Sequence, residues 1–326
     1  MKRLILSGLL IVQLAAPAWA GFDEGLAAYK RGDYATALSE WRAAAQEGHA
    51  AAQYDLALMY YLGEGVERNF REAFKWFAES AEQGHAPAQY YVGLSYRSGR
   101  GVLQDYAAAV KWFRRSAEQE NATAQFILGR MYIEGQGVPQ DYSKAESWYR
   151  QAAQQGHAGA QNNLGQMYMN GQGVPKDYSK ALSWLQKAAQ QGTANSQTLL
   201  GEMYSKGQGV PQDYAKAAKW YLLAAEQGHT HAQYILGFMY VSGKGVPKSY
   251  ARAREWFHKA SMKEYPPAQY FLGLMHFRGD GVPRDHSTAS LWICKAAQHE
   301  FAPALDWLKK HPQEAPYVLE CPGVDL

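Results

Sequence analysis

Histidines, glycine pairs and two cysteines are the residues whose types and spacing could do chemistry here. His49, His85, His157 and His229 recur at intervals of 36 or 72 residues, each after a glycine that ends a helical pattern. A metal would need several of them at about 2 Å from one ion, whereas successive helix pairs stand about 10 Å apart or more. His229 and His231 are closer, but the sequence supplies no third ligand beside them, so no metal site is expected. A Gly-x-Gly-Val element, starting at Gly63, Gly99, Gly135, Gly171, Gly207, Gly243 and Gly279, could cradle a phosphate if it followed a strand. Each copy follows a helical pattern instead, so the element reads as a turn. Nucleophilic catalysis would call for S-x-x-K, K-T-G, G-x-S-x-G, H-E-x-x-H or a cysteine beside a histidine. None is present, and His299-Glu300 lacks the second histidine. The expectation is a protein without catalytic residues and without a cofactor.

The elements that position these residues follow a strict period. Trp76, Trp112, Trp148, Trp184, Trp220, Trp256 and Trp292 are each 36 residues apart, and Gln53, Gln89, Gln125, Gln161, Gln197, Gln233 and Gln269 keep the same register. In the stretch from His157 to Gly192, small and apolar residues at helical spacing run from Ala158 to Asn170 and stop at Gly171. Gly171-Gln172-Gly173-Val174-Pro175 breaks the helix by glycine freedom and by a proline that cannot continue it. Asp177 sits where an N-cap belongs, and the pattern predicts a second helix over Tyr178 to Gln191 with Ala181, Trp184, Leu185, Ala188 and Ala189 inward. The Met and Trp series accordingly read as core packing. Two such helices, about 18–21 Å long, cannot bury their apolar stripes alone, so neighbouring pairs must stack.

The pattern A-x-A-Q-x-x-L-G-x-M-Y, then G-x-G-V-P, then D-Y-x-K-A-x-x-W resembles the Sel-one-like repeat, a 36-residue relative of the tetratricopeptide repeat. That resemblance implies an all-α fold, a right-handed α/α superhelical solenoid of antiparallel helix pairs. Residues 1–20 read as a signal peptide, 21–49 as a shortened, tetratricopeptide-like capping pair, and 50–299 as seven repeats. Residues 300–311 read as a C-terminal capping helix and 312–326 as a tail. In the cap, Leu308 takes the repeat's Leu position while Lys309 replaces its glycine, as suits a helix facing no further repeat. A cysteine-rich branch of the family has been linked to penicillin binding and β-lactamase activity. Its members carry a cysteine pair in each repeat, and no such pair stands in these units. A hydrolase of cell-wall material or β-lactams is therefore the second reading, and a glycan- or peptidoglycan-binding module the third.

Comparing the seven copies with one another separates constant from variable positions. On the first helix, the positions of Asn162, Gln166 and Met169 vary and fall together on one side. The first row reads Tyr54, Tyr90, Phe126, Asn162, Thr198, Tyr234, Tyr270, and the second Leu58, Leu94, Arg130, Gln166, Glu202, Phe238, Leu274. The third reads Tyr61, Arg97, Ile133, Met169, Ser205, Val241, Phe277. In solenoids of this family the first helices line the concave side, so the stripe would form its floor. Exposed Tyr, Phe and Arg there suit a protein or peptide partner; the alternative is packing between adjacent first helices. The second helices vary in charged residues such as Lys144, Lys180, Lys216 and Arg252, which reads as a solvated face.

Composition bounds these readings. With 326 residues and 47% hydrophobic content the chain is too apolar for disorder. A net charge of +3 is too small for an electrostatic nucleic-acid binder. Lys2 and Arg3, the apolar run Leu4 to Leu14 and Ala18-Trp19-Ala20 form the three parts of a signal peptide. Its removal takes 33 basic residues to 31, against 30 acidic. No cysteine follows the cleavage site to accept a lipid, and no other segment is apolar enough to span a bilayer, so a periplasmic or secreted protein is expected. In that compartment Cys294 and Cys321 could join as a disulfide, clasping the tail over the last repeat; the alternative is two unpaired thiols, one of them buried.

Overall fold

A computed structural model describes residues 20–311, and among them every regular element is an α-helix. The signal-peptide reading over residues 1–20, apart from Ala20, and the tail at 312–326 lie outside the described residues. Two compact units divide the described chain, residues 20–141 and 142–311. The first holds α1 (Ala20–Lys30), α2 (Tyr34–Gln46), α3 (Ala50–Leu62), α4 (Phe70–Glu82), α5 (Ala86–Ser98), α6 (Tyr106–Glu118) and α7 (Ala122–Glu134). The second holds α8 (Tyr142–Gln154), α9 (Ala158–Asn170), α10 (Tyr178–Gln190), α11 (Ala194–Lys206) and α12 (Tyr214–Glu226). It continues with α13 (Thr230–Ser242), α14 (Tyr250–Ser261), α15 (Pro266–Arg278), α16 (His286–Gln298) and α17 (Ala302–Lys310). Within each unit every helix packs on its sequence neighbours as antiparallel pairs. The architecture is the all-α repeat solenoid, 17 helices among the described residues.

Capping chemistry sets the helix ends. Asp177 Oδ1 accepts the Lys180 amide at 2.9 Å to start α10, and Asn69, Asp105, Asp213 and Asp285 do the same for their helices. The recurring histidines start the first helices: Nδ1 of His157 accepts the Ala160 amide at 3.1 Å, and His49 and His229 cap α3 and α13 likewise. At the other end Gly171 is left-handed, and its amide and that of Gln172 both return to the Met167 carbonyl. The second glycine of the loop has a different duty. At Gly209, φ is +71°, and a Cβ would stand 2.8 Å from Cβ of Tyr178 in the preceding repeat. The loop is thus pressed against its neighbour's second helix.

The core departs from expectation at the tryptophans. Trp76, Trp112, Trp148, Trp184, Trp220 and Trp292 are only half-buried, and Trp256 alone reaches 9% exposure. The following residue fills the core instead: Phe77, Phe113, Leu185, Phe257 and Ile293 are fully enclosed. Each of the last four packs on the glycine of its own first helix; a Cβ on Gly237 would lie 2.7 Å from Phe257 Cε1. Four of the indoles, Trp112, Trp184, Trp256 and Trp292, are covered by the cation one turn on, as with Lys187 Nζ 4.4 Å from the Trp184 ring centroid and Lys259 Nζ 4.2 Å from that of Trp256. The Met series is core as expected, with Met59, Met131, Met167, Met203, Met239 and Met275 buried.

Candidate functional site

Periodicity on a single helix shows which side faces away from its paired helix, but the next repeat decides what covers that side. The first variable row touches the residue that starts the following first helix. Tyr54 meets the His85 ring at 4.9 Å, Tyr234 meets Tyr265 at 5.4 Å and Tyr270 meets Phe301 at 5.7 Å. Thr198 Oγ1 lies 3.1 Å from Nδ1 of His229, and Ser196 Oγ donates to Asn162 Oδ1 at 2.8 Å. Asn162 and Thr198 keep only 5% and 6% exposure. This row therefore joins repeats, which supports the packing alternative there.

In the first unit the joint is aromatic. Tyr91 stacks on Phe77 at 4.7 Å and takes Tyr54 and Tyr61 at 5.8 and 5.6 Å against its edges. Burial raises the phenol pKa of Tyr54, Tyr90 and Tyr91, keeping all three neutral. Leu58, Leu94, Arg97 and Phe126 are half-buried, and Arg130 is exposed and paired with Glu134 at 2.9 Å. Tyr91 and its counterpart Phe271, which lies 4.4 Å from Phe238, occupy a position the comparison of copies did not single out. Their row alternates Asp55, Tyr91, Ile127, Asn163, Leu199, Ile235, Phe271, and that variability was the available signal. At the other end of the chain, Leu274 is buried at 7%, while Phe277 lies edge-on to Trp307 of α17 at 5.2 Å. The cap helix thus occupies that end of the stripe.

The stripe stays open between α11 and α13. There a cavity of about 450 Å³ is lined by Thr198, Glu202, Ser205 and Lys206, by Tyr214 and Tyr221 of α12, and by His231, Ile235, Phe238, Met239, Ser242 and Lys244. Three of the variable positions line its α11 wall and Phe238 the opposite one. Its floor is apolar and its rim charged. Glu202 pairs with Lys206 one turn on, while Lys244 Nζ sits 5.4 Å from the centre of the Tyr214 ring. Burial pushes the Tyr221 phenol up to about 12, so it is a neutral hydrogen-bonding group. Ser205 Oγ donates to the Glu202 carbonyl at 2.9 Å, and Ser242 Oγ to that of Phe238 at 2.9 Å. Each hydroxyl proton is thereby spent on a backbone carbonyl rather than held by a base. Among the described residues no group of three or more His, Cys, Asp or Glu could hold a metal ion, and no helix is long and apolar enough to cross a membrane.

A stack of helix pairs with an open cavity on its first helices defines a helical-repeat protein of the tetratricopeptide-like class. The chain belongs to the Sel1 repeat family, whose pattern matches residues 50–85, 86–121, 122–157, 158–193, 194–229, 230–265 and 266–300. A Sel1 repeat protein from Oxalobacter formigenes is 34% identical, with a TM-score of 0.72 over 90% of this chain and 87% of that one. A protective antigen of uropathogenic Escherichia coli, with the same type of repeat, is 31% identical, with a TM-score of 0.60 over 94% of this chain and 80% of that one. An exopolysaccharide production negative regulator of Rhizobium meliloti is 43% identical over 61 residues. That match spans 19% of this chain and only 23% of the regulator.

Proposed function

We propose that the protein is an exported, non-enzymatic scaffold or adaptor that holds a protein or peptide partner on its first-helix face, an apolar side chain of the partner anchored between α11 and α13. The cavity carries this reading: it is large enough for a bulky side chain, apolar at its base and polar at its rim, as anchoring pockets are. The backbone-bound hydroxyls of Ser205 and Ser242 favour binding over turnover. Similarity to a protective antigen and a partial match to an exopolysaccharide production negative regulator are compatible with envelope work. Export to the periplasm or beyond rests on Lys2, Arg3, the apolar run and Ala18-Trp19-Ala20.

A photo-crosslinking residue at Ser242, with a second at Lys111 on a second helix as control, tests the reading in envelope extract. A discrete adduct from Ser242 that disappears in Phe238→Ala and is missing from Lys111 supports it. Equal adducts from both positions, or turnover of cell-wall or β-lactam substrates that survives Phe238→Ala, would overturn it.

A further inference from the structure

The aromatic residue that opens a second helix has two polar neighbours, as Tyr214 of α12 shows. Gln212, two residues before it, donates to its hydroxyl at 3.1 Å, and Lys244, from the next Gly-x-Gly turn, lies 5.4 Å from the ring centre. Gln208, from such a turn, likewise donates to the Tyr178 hydroxyl at 3.1 Å. At α4 the opening residue is Phe70, which has no hydroxyl to take a donor, and both neighbours are arginine. The guanidinium carbons of Arg68 and Arg100 lie 5.5 and 5.4 Å from this one ring centre. Tyr61 stands edge-on to the same ring at 5.3 Å, and Arg100 Nη1 donates to its hydroxyl at 3.1 Å. Both arginines are exposed, and among the described residues neither has an acidic partner.

A guanidinium held on a ring keeps its in-plane N–H groups for a planar acceptor, and the two oxygens of a carboxylate fit that fork. Two such groups gathered on one ring, with no acid of the chain to neutralise them, concentrate positive charge on an exposed surface. Side chains two residues apart on an extended peptide leave one face about 7 Å apart, so two acids in that spacing can each meet one arginine. Exposed leucines border the pair in sequence: Leu62, 52% exposed, follows Tyr61, and Leu103, 89% exposed, stands in the Arg100 loop. They offer apolar contact beside the charge. We propose that Arg68, Phe70 and Arg100 form a docking surface for an acidic peptide segment of a partner protein, two of whose carboxylates pair with the two arginines. This surface belongs to the first unit and the cavity between α11 and α13 to the second, so either reading can fail without the other.

Panning a random peptide display library on the full chain, and in parallel on the double variant Arg68→Gln with Arg100→Gln, tests this. The wild-type pool should be enriched in peptides carrying two Asp or Glu within a few residues of each other, and the variant pool should not. A fluorescein-labelled synthetic copy of the most enriched peptide should bind wild type at least about tenfold more tightly than the double variant, read by fluorescence anisotropy. Arg68→Lys with Arg100→Lys keeps the charge but loses the planar fork, so it should restore only part of that affinity. Both positions are exposed, and unchanged thermal unfolding verifies that the variants fold. Phe238→Ala should leave this affinity unaltered. A wild-type pool without acid enrichment, or equal affinity of wild type and double variant for the peptide, would overturn the proposal. Sedimentation of wild type with phosphatidylglycerol vesicles that the double variant loses would overturn it in favour of a lipid surface.

Discussion

Gln191 donates its side-chain amide to Oε1 of Gln161 at 2.8 Å, across thirty residues, while Gln161 in turn donates to the carbonyl that Ala153 leaves free near the end of α8. One buried side chain thereby joins both helices of its own repeat to the second helix of the repeat before. The Gln161→Leu variant keeps the volume and removes both bonds, leaving a buried carbonyl unsatisfied. It should lower the urea unfolding free energy by about 1–3 kcal/mol. The reverse change is available at position 263, where Gln233 Oε1 has no partner and Lys263 reaches the Gly228 carbonyl instead. Lys263→Gln should raise stability by about 1 kcal/mol. Equal unfolding of both variants and wild type would show that the ladder contributes nothing.

Gly237 lets the Phe257 ring come against the α13 backbone, where an added Cβ would stand 2.7 Å from Cε1. Because Phe257 is fully enclosed, it has no room to retreat. Gly237→Ala should cost about 1–3 kcal/mol by overpacking, despite alanine's better helix propensity. Leu185 fills the equivalent place against Gly165, so the double variant Gly237→Ala with Phe257→Leu should recover part of the loss. A stable single variant in urea denaturation would show that the close approach is not required.

How far the sequence could be read follows from the range of each signal. The helix ends were legible because capping is local: Asp177 and Gly171 sit within a few residues of the groups they satisfy. The tryptophan series misled because periodicity marks a constant position without saying how deep it lies, and a wide indole can close a rim beneath a lysine. Leu185, one residue on, carries the core in a type that varies between Phe, Tyr, Leu and Ile. The stripe was legible as a side of the helix. Its first row was not legible as a joint, because its partner is the N-cap residue of the following first helix, about thirty residues on. The open cavity needed Glu202, Tyr214 and Lys244 together, from three elements whose spacing no single-helix pattern encodes.

Acid should loosen the fold in two stages. His49, His85, His157 and His229 all have pKa values held below the ordinary 6.5, chiefly because burial disfavours the imidazolium. The unfolded chain takes up these protons first. Their contribution is therefore complete above 6.5 and is lost as pH falls through the lower folded values. Protonation also removes the lone pair with which His157 caps α9. Asp55 acts in the opposite sense: burial raises its carboxyl to about 6, so protonating it relieves the folded state and offsets part of the loss. The N-cap carboxylates of Asp177, Asp213 and Asp285 lie below their ordinary 3.8 and give way only in stronger acid. Asn121 performs the same cap without titrating. His157→Asn should accordingly lose less stability than wild type between about pH 7.5 and about pH 5.5. Identical pH profiles in urea denaturation would remove His157 from this account.

The last prediction concerns Cys294, half-buried in α16 beside the cluster formed by Ile293, Ala297, Trp307 and Leu308. Its proposed partner, Cys321, lies outside the described residues, so the clasp remains the reading drawn from compartment and cysteine count. The bond would close a loop containing α17, the helix that covers Phe277 and Leu274 at the end of the stripe. By the chain-entropy account, closing a loop of that length contributes about 3.5 kcal/mol. Because contacts in a solenoid run between neighbours, the effect should concentrate at the C-terminal end. Cys321→Ser should speed hydrogen exchange in α16 and α17 and leave α3 to α6 unchanged. Mass spectrometry of the exported protein after alkylation should find no labelled thiol until a reductant is added. Two labelled thiols without reductant would refute the clasp, and with it the proposed anchoring of α17.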